Sequence, residues 1–121
     1  MFNLNDSLKY WLYSKPTDMR KSFHTLSGIV NNEMSRNPCN GDVYIFINKR
    51  RNRMKLLHWE PGGMVIYSKM LDKGTFAPPQ NRAEDDQSSS IAWRELVLIV
   101  EGIVANPESR RERLNVLKNI W

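Results

Sequence analysis

The sequence predicts a small α+β fold, in which an antiparallel sheet of an N-terminal strand and a three-stranded meander packs against one helix, with further helices at the C-terminus. Three observations lead to this fold class. The chain has 121 residues, enough for one domain of ordinary size. Its hydrophobic content of 40% and charged content of 26% are typical of globular domains and unlike those of disordered or collagenous chains. Segments with a period of 3.6 residues occur beside segments with a period of 2, so helices and strands are both expected.

The first predicted elements are a strand and a helix. Tyr10–Tyr13 is a short aromatic run typical of a strand, and Pro16 soon after it ends ladder pairing. Thr17 or Asp18 can cap a following helix, because their side-chain oxygens accept hydrogen bonds from the free amides of the first turn. We place this helix at about 18–34. Its apolar face consists of Met19, Phe23, Leu26, Val30 and Met34.

Three further strands are predicted between residues 43 and 71. Residues 43–47 are rich in β-branched and aromatic side chains and follow a loop of turn-forming residues. Residues 54–60 and 64–71 alternate in polarity, and a Pro-Gly-Gly turn separates them. Consecutive strands that short turns connect form an antiparallel meander.

The rest of the chain differs in composition. Residues 77–90 lack a period and end in an acidic, serine-rich run, which predicts a flexible linker. A helical segment is predicted over 91–121, and the apolar run 96–100 also fits a buried strand. The chain is thus divided into a basic α+β core over 1–76, the acidic linker, and a C-terminal helical segment that packs on the core or extends it. Asn106, Pro107 and Glu108 predict the start of a last helix within this segment, and one side of that helix carries Leu114, Leu117 and Trp121.

The charge of the chain is unevenly distributed. Lysine and arginine number 18 against 13 acidic residues, which gives a net charge of +5 and favours polyanions as partners. The surplus is +6 over residues 1–73 and −1 over residues 74–121. Residues 49–55 contain five positive charges in seven positions. A surface that binds a polyanion is therefore expected to include this segment.

Composition also disfavours several classes of protein. Cys39 is the single cysteine and cannot form an internal disulfide, and with two histidines a zinc site would need carboxylate ligands. No window approaches the roughly 20 apolar residues of a membrane span, and the N-terminus has no apolar signal segment. We expect a cytoplasmic protein that has no membrane segment and needs neither a metal nor a cofactor.

An enzyme is the less favoured interpretation. The candidate bases are His24, in the predicted helix, and His58, in a predicted strand, and neither lies in a catalytic motif. The carboxylates are scattered, and none is followed at the second position by lysine, as it is in many nuclease cores. Gly62 and Gly63 belong to a hairpin turn rather than to a phosphate-binding loop. We therefore expect no catalytic residues.

Several features of the sequence favour a binding function over a catalytic one. Arginines at a hairpin tip can neutralise phosphates, and lysines on the neighbouring strands extend the charge. Trp59 and Tyr67 share strand faces with Lys55 and Lys69, so they are either stacking residues or core residues that the lysines cover. Arg20 and Lys21 equally fit a solvated helix face. The candidate DNA-binding residues are Arg20, Lys21, Arg50, Arg51, Arg53, Lys55, Trp59, Lys69 and Lys73.

Three motifs together resemble a bacterial family. PTDMRKSF at 16–23, KLLHW at 55–59 and KMLDKGTF at 69–76 are similar, in order and spacing, to motifs of the insertion-sequence accessory protein called TnpB, the second open reading frame product of a group of DDE-transposase elements. Met70 stands where arginine is common in that family, and Asp72 replaces a glutamate. The resemblance implies a role in transposition beside a separate transposase that holds the catalytic carboxylates.

Two hypotheses follow. The first is a non-catalytic accessory protein for DNA transposition that binds DNA through a basic hairpin face. The alternative is a docking module for the transposase or another accessory protein, without direct DNA contact, which uses an exposed strand edge or the face of Leu114, Leu117 and Trp121.

Overall fold

A computed structural model describes residues 4–77 and 87–101 of the chain. These residues form five strands and two helices, and the strands make one sheet of order β4-β3-β2-β1-β5. The elements are β1 (Tyr10–Tyr13), α1 (Phe23–Asn32), β2 (Val43–Ile47), β3 (Arg53–Glu60), β4 (Gly63–Met70), β5 (Ser88–Ile91) and α2 (Trp93–Glu101). This is a small α+β arrangement, as the sequence predicts.

The sheet is mixed, so the prediction of an antiparallel sheet is wrong for β1. This strand runs parallel to β2, with Tyr10 opposite Val43 and Leu12 opposite Ile45. The connection between the two strands contains α1, and a crossover of this length can bring the chain back in the same direction. Strands β2, β3 and β4 pair antiparallel in chain order, and β5 pairs antiparallel with β1.

Strand β5 corrects the interpretation of residues 88–90 as the end of a flexible linker. Its three serines show no apolar alternation, but their main chains pair with β1, with Ser88 opposite Tyr13 and Ile91 opposite Tyr10. Ile91 is buried in this strand and does not begin the next helix, which starts at Trp93. The apolar run 96–100 is helical. Residues 78–86 of the predicted linker and the face of Leu114, Leu117 and Trp121 lie outside the described residues.

Helix α1 begins five residues later than predicted. The Asp18 carboxylate accepts a hydrogen bond from the main-chain amide of Arg20 at 2.8 Å, and the Lys21 amide donates to the Asp18 carbonyl at 3.1 Å. These bonds form a separate turn before the helix. Ser22, in extended conformation, is the N-cap residue, so neither Thr17 nor Asp18 caps the helix.

Each face of the sheet carries a buried apolar cluster. On one side, here called the α1 face, the cluster consists of Tyr13, Met19, Leu26, Val30, Met34, Tyr44, Phe46 and Leu57. On the other side, here called the α2 face, buried residues of β1, β2, β3 and β5 pack with Leu96, Ile99 and Val100 of α2, and the partly buried Tyr67 of β4 packs against this cluster. Every residue of β2 is buried, as expected for a strand with a covered surface on both sides. The helical spacing predicts that Phe23 is buried with the apolar face of α1, but Phe23 lies in the first turn of the helix and is 43% exposed.

The segment between β1 and α1 crosses one end of the sheet. The Thr17 amide donates to the Ile47 carbonyl, at the end of β2, at 2.9 Å. The Lys55 ammonium of β3 donates to the Lys21 carbonyl at 2.8 Å. The chain that carries the PTDMRK motif therefore runs from β1 over β2 to β3. No helix among residues 4–77 and 87–101 is long and apolar enough to cross a membrane.

Candidate nucleic-acid interface

Three basic loops meet at one end of the sheet. The strand directions bring together the carboxyl ends of β1, β2 and β4 and the amino end of β3. The loops there comprise residues 14–22, 48–52 and 71–76. They and the adjoining first residue of β3 carry two carboxylates, Asp18 and Asp72. We call this surface the basic end, and its cations are Lys15, Arg20, Lys21, Lys49, Arg50, Arg51, Arg53 and Lys73.

The loop between β2 and β3 is organised by the side chain of Asn48. Its Oδ1 accepts hydrogen bonds from the amides of Asn52 and Arg53, both at 3.0 Å, and its Nδ2 donates to Asn52 Oδ1 at 2.8 Å. The amide of Arg51 donates to the Asn48 carbonyl at 3.0 Å. The arginines of the hairpin tip are therefore presented on a fixed backbone.

A second loop supports the first. The Leu71 amide donates to the Asn52 carbonyl at 2.8 Å, and the Phe76 amide donates to the Arg51 carbonyl at 2.6 Å. Phe76 is fully buried among the residues of the α2 face. Anchoring by Phe76 thus places Lys73 beside the hairpin tip.

Arg20 forms an ion pair at the surface of the basic end. Its guanidinium donates to the Asp18 carboxylate, with Nη2 2.6 Å from Oδ2 and Nε 3.0 Å from the same oxygen. This bonding lowers the pKa of Asp18 well below its usual range. The Arg20 side chain remains 91% exposed, so it stays accessible to a ligand.

Lys55 and Lys69 do not share a surface. Lys55 lies on the α1 face, half-buried, and its ammonium is hydrogen-bonded to the Lys21 carbonyl. Lys69 pairs with Met54, whose side chain belongs to the α2 face, so Lys69 projects from that opposite side. There it lines a groove together with Glu101. The basic surface expected along neighbouring strands is therefore divided between two faces.

Trp59 is distant from the basic loops. It lies six positions after Arg53 in the same strand, a separation of about 20 Å along an extended chain. Its side chain is 38% exposed on the α1 face, where it pairs with Met64. Tyr67 lies on the α2 face and donates from its hydroxyl to Glu60 Oε1 at 2.6 Å. Neither aromatic side chain accompanies the cations of the basic end.

Comparison with known proteins identifies the family. The family described as IS66 Orf2-like protein matches this chain over residues 8–110. The chain belongs to this family. The match confirms the resemblance that the three motifs indicate. As a member of this family, the chain is an accessory protein of an insertion sequence.

Two relatives of this chain come from Sinorhizobium fredii. The protein y4jC is 26% identical over 103 residues, which cover 85% of this chain and 86% of the relative. The protein y4hO is 24% identical over 103 residues, covering 85% of this chain and 87% of the relative. Both are described as uncharacterized proteins. No solved structure matches the chain.

Lys15 and Lys49 are not among the candidate DNA-binding residues that the sequence predicts. Both line a cleft of about 120 Å³ at the basic end, together with Ser14 and Arg51. Lys49 lies inside the run of positive charges, which was a usable signal. Lys15 had none, because its position beside the β2–β3 loop depends on the parallel pairing of β1 with β2.

The two histidines of the chain occupy different environments. His24 is exposed in the first turn of α1. His58 is 4% exposed in β3, and within the described residues its Nδ1 has no hydrogen-bond partner. In residues 4–77 and 87–101, no group of three or more histidine, cysteine or acidic side chains could hold a metal ion.

Proposed function

We propose that this protein is a non-catalytic accessory protein of transposition that binds DNA through its basic end. The observation that carries the proposal is the convergence of three loops whose cations greatly outnumber their carboxylates. A surface that neutralises several phosphates releases condensed counterions from DNA, and this release drives binding.

The hairpin tip is well suited to phosphate contact. Within the described residues, the side chains of Lys49, Arg50 and Arg53 make no ion pair or hydrogen bond. All three are exposed: Lys49 and Arg50 lie on the loop that Asn48 holds in place, and Arg53 is the first residue of β3. A fixed loop loses little conformational entropy when it binds. Side chains from loops contact the backbone of the duplex readily, so we expect weak dependence on sequence.

Among residues 4–77 and 87–101, the opposite end of the sheet has no such surplus of positive charge. Arg36 there stacks on Trp11, with its guanidinium carbon 3.1 Å from the ring centroid, and Trp11 donates to Asp42 at 3.0 Å. Lys9 and Arg94 are exposed at this end. The acidic residues near them are Asp6, Asp42, Glu60 and Glu95. This end provides a matched control surface within the same chain.

A comparison of two double variants tests the proposal. Arg50→Ala with Arg53→Ala removes two exposed cations from the basic end, and Lys9→Ala with Arg94→Ala removes two from the opposite end. Both variants have the same net charge. Fluorescence anisotropy with a labelled duplex at low salt is expected to show a loss of affinity of about tenfold or more in the first variant and little change in the second. Equal losses, or no binding by the wild-type protein, would refute the proposal.

The absence of catalysis is tested in the same samples. The labelled duplex is incubated with the protein and a magnesium salt and examined by denaturing electrophoresis. Intact strands are expected. Cleavage or strand joining that Arg50→Ala with Arg53→Ala abolishes would show that the protein is an enzyme.

A second candidate function, docking on the transposase of the element, is favoured by one observation. β4 is the last strand of the described sheet, and on the α1 face it presents Met70, which is 68% exposed, while its neighbour β3 presents Trp59. An open strand edge beside exposed apolar side chains is a recurrent site of peptide addition. The sequence also predicts a docking surface on the face of Leu114, Leu117 and Trp121.

Co-purification with that transposase distinguishes the two functions. If the protein docks on the transposase, the complex should persist in the double variant Arg50→Ala with Arg53→Ala. It should be lost either in the double variant Trp59→Ala with Met70→Ser or after deletion of residues 106–121. A complex that only the arginine variant disrupts would contradict docking at these sites and indicate assembly through DNA. Nuclease treatment of the sample checks this explanation.

A further inference from the structure

A cleft lies between the carboxyl ends of the two parallel strands. It has a volume of about 120 Å³, and one wall is formed by residues 12–16 and the other by residues 47–49 and Arg51. The loops that follow β1 and β2 leave main-chain and side-chain groups accessible there. This cleft is therefore a candidate binding site.

Hydrogen bonds fix both walls. The Thr17 amide is bonded to the Ile47 carbonyl at 2.9 Å, and the Ser14 amide is bonded to the Gln87 carbonyl at 3.0 Å. On the other side, the Asn48 side chain closes the loop through the amides of Asn52 and Arg53. The cleft is preformed, and a ligand does not have to order it.

The residues that line the cleft carry an excess of positive charge. None of its nine lining residues is acidic. Lys49 and Arg51 are exposed, and their side chains make no ion pair or hydrogen bond within the described residues. The ammonium of Lys15 is 3.4 Å from Glu33, and both side chains are about half exposed. An anion in the cleft would thus meet two cations that have no other partner in the described part of the chain.

The backbone conformation of Arg51 also indicates that the cleft is a binding site. Its φ of 56° lies in the left-handed region, which is unfavourable for a residue with a β-carbon. The main-chain bonds to Asn48 and Phe76 hold it there. Unfavourable backbone conformations that neighbouring bonds enforce are concentrated at binding sites, where they orient a functional side chain.

We propose that this cleft binds a single phosphate group. Lys49 and Arg51 supply the positive charge, the Ser14 hydroxyl donates a hydrogen bond, and Leu12 and Ile47 contribute apolar walls. The proposed DNA-binding function supplies the source of the phosphate, and the inference rests on it in that respect. Two sources share this chemistry: a phosphodiester within a strand and a terminal phosphate monoester at a strand end.

Titration with inorganic phosphate tests the site itself. Backbone amide resonances of the full chain are followed by NMR, with sodium chloride of equal ionic strength as the control. Saturable shifts are expected at Ser14, Asn48, Lys49 and Arg51. They should vanish in Lys49→Ala, which changes an exposed turn residue, and persist in Lys9→Ala. Equal shifts with chloride, or shifts unchanged in Lys49→Ala, would overturn the inference.

Oligonucleotides distinguish the sources. Duplexes of one sequence are prepared with 5′-phosphate, 3′-phosphate or hydroxyl ends. A terminal monoester carries more negative charge than a diester near neutral pH. If it is the ligand, one phosphorylated duplex binds several-fold more tightly than the hydroxyl form, and Lys49→Ala removes the difference. Equal binding of all three duplexes, weakened several-fold by Lys49→Ala, identifies the phosphodiester. Affinities that Lys49→Ala leaves unchanged would contradict the inference.

The outcomes separate this inference from the proposed function. If DNA binding depends on Arg50 and Arg53 but neither phosphate nor Lys49→Ala has an effect, the cleft proposal fails and DNA binding stands. If phosphate binds saturably and depends on Lys49 but no DNA binds, the cleft proposal stands and the proposed function fails.

Discussion

The side chain of Lys55 is hydrogen-bonded to the main chain of Lys21, with 2.8 Å between the ammonium nitrogen and the carbonyl oxygen. The bond connects the α1 face of β3 to the last residue before the N-cap of α1. A lysine that the sequence assigned to DNA binding therefore holds the PTDMRK segment against the sheet. Its neighbour Arg53, two positions earlier on the same face, is exposed at the basic end.

Lys55→Met is expected to destabilise the fold. The variant keeps the apolar stem of the side chain and removes the donor to the Lys21 carbonyl, a loss of about 2 kcal/mol for a hydrogen bond from a charged group. Urea denaturation followed by circular dichroism measures the free energy of unfolding. Arg53→Met is the control and should lie within about 0.5 kcal/mol of the wild type. Equal stability of Lys55→Met and the wild type would contradict a structural role for this bond.

Asn48→Ala is expected to loosen the hairpin tip. It removes the acceptor of the amides of Asn52 and Arg53, and the free energy of unfolding should fall by about 2 kcal/mol. Lys49→Ala in the same turn should have little effect on stability, because the Lys49 side chain is exposed. Chemical denaturation of the three proteins measures both. If Asn48→Ala is as stable as Lys49→Ala, the Asn48 bonds do not organise the loop.

Arg51 should tolerate glycine better than alanine. Both substitutions remove the charge, but only glycine adopts the left-handed backbone without a steric penalty. Arg51→Gly is therefore expected to be about 1 kcal/mol more stable than Arg51→Ala. Thermal and urea unfolding of the pair measure the difference. A more stable alanine variant would show that this residue does not have a positive φ in solution.

The stability of the protein should fall at alkaline pH. Burial raises the pKa of Tyr10 and of Tyr13 from 10.0 to about 12, and Glu33 contributes to the increase at Tyr13. Between these values the unfolded chain releases phenolic protons that the folded protein retains, so the free energy of unfolding decreases as pH rises from about 10 to about 12. Tyr13→Phe should make the decrease shallower. A decrease of unchanged slope in Tyr13→Phe would show that Tyr13 does not titrate in this way.

Local patterns predicted much of this fold. Leu26 and Val30 are buried on one face of α1, as their spacing indicates, and Met34 is buried just after the helix ends at Asn32. Composition and alternation identify the segments of β2, β3 and β4. These features depend on neighbouring residues, which the sequence displays directly. The helical rather than extended conformation of Leu96 and its neighbours was the favoured alternative and is the one observed.

Non-local relationships were not predictable in the same way. The parallel pairing of β1 with β2 depends on where α1 lies, and the serine strand β5 is specified by main-chain bonds to β1. Asp18 has the chemistry of a helix cap but forms a turn with Arg20 instead. Alternation places Lys55 and Trp59 on one face of a strand, which suggests ligand binding. It does not show which other segments pack against that face, such as the segment that contains Lys21. In each case the deciding partner is distant along the chain or selected by tertiary packing.

The salt dependence of DNA affinity tests the central claim most directly. Binding constants for one duplex are measured over a range of salt concentrations for the wild type, for Arg50→Ala with Arg53→Ala, and for Lys9→Ala with Arg94→Ala. Each lost phosphate contact lowers the slope of log K against log salt by about 0.9, so the arginine variant should have a slope shallower by about 2. The second variant should retain the wild-type slope. Identical slopes for the two variants would contradict DNA binding at the basic end.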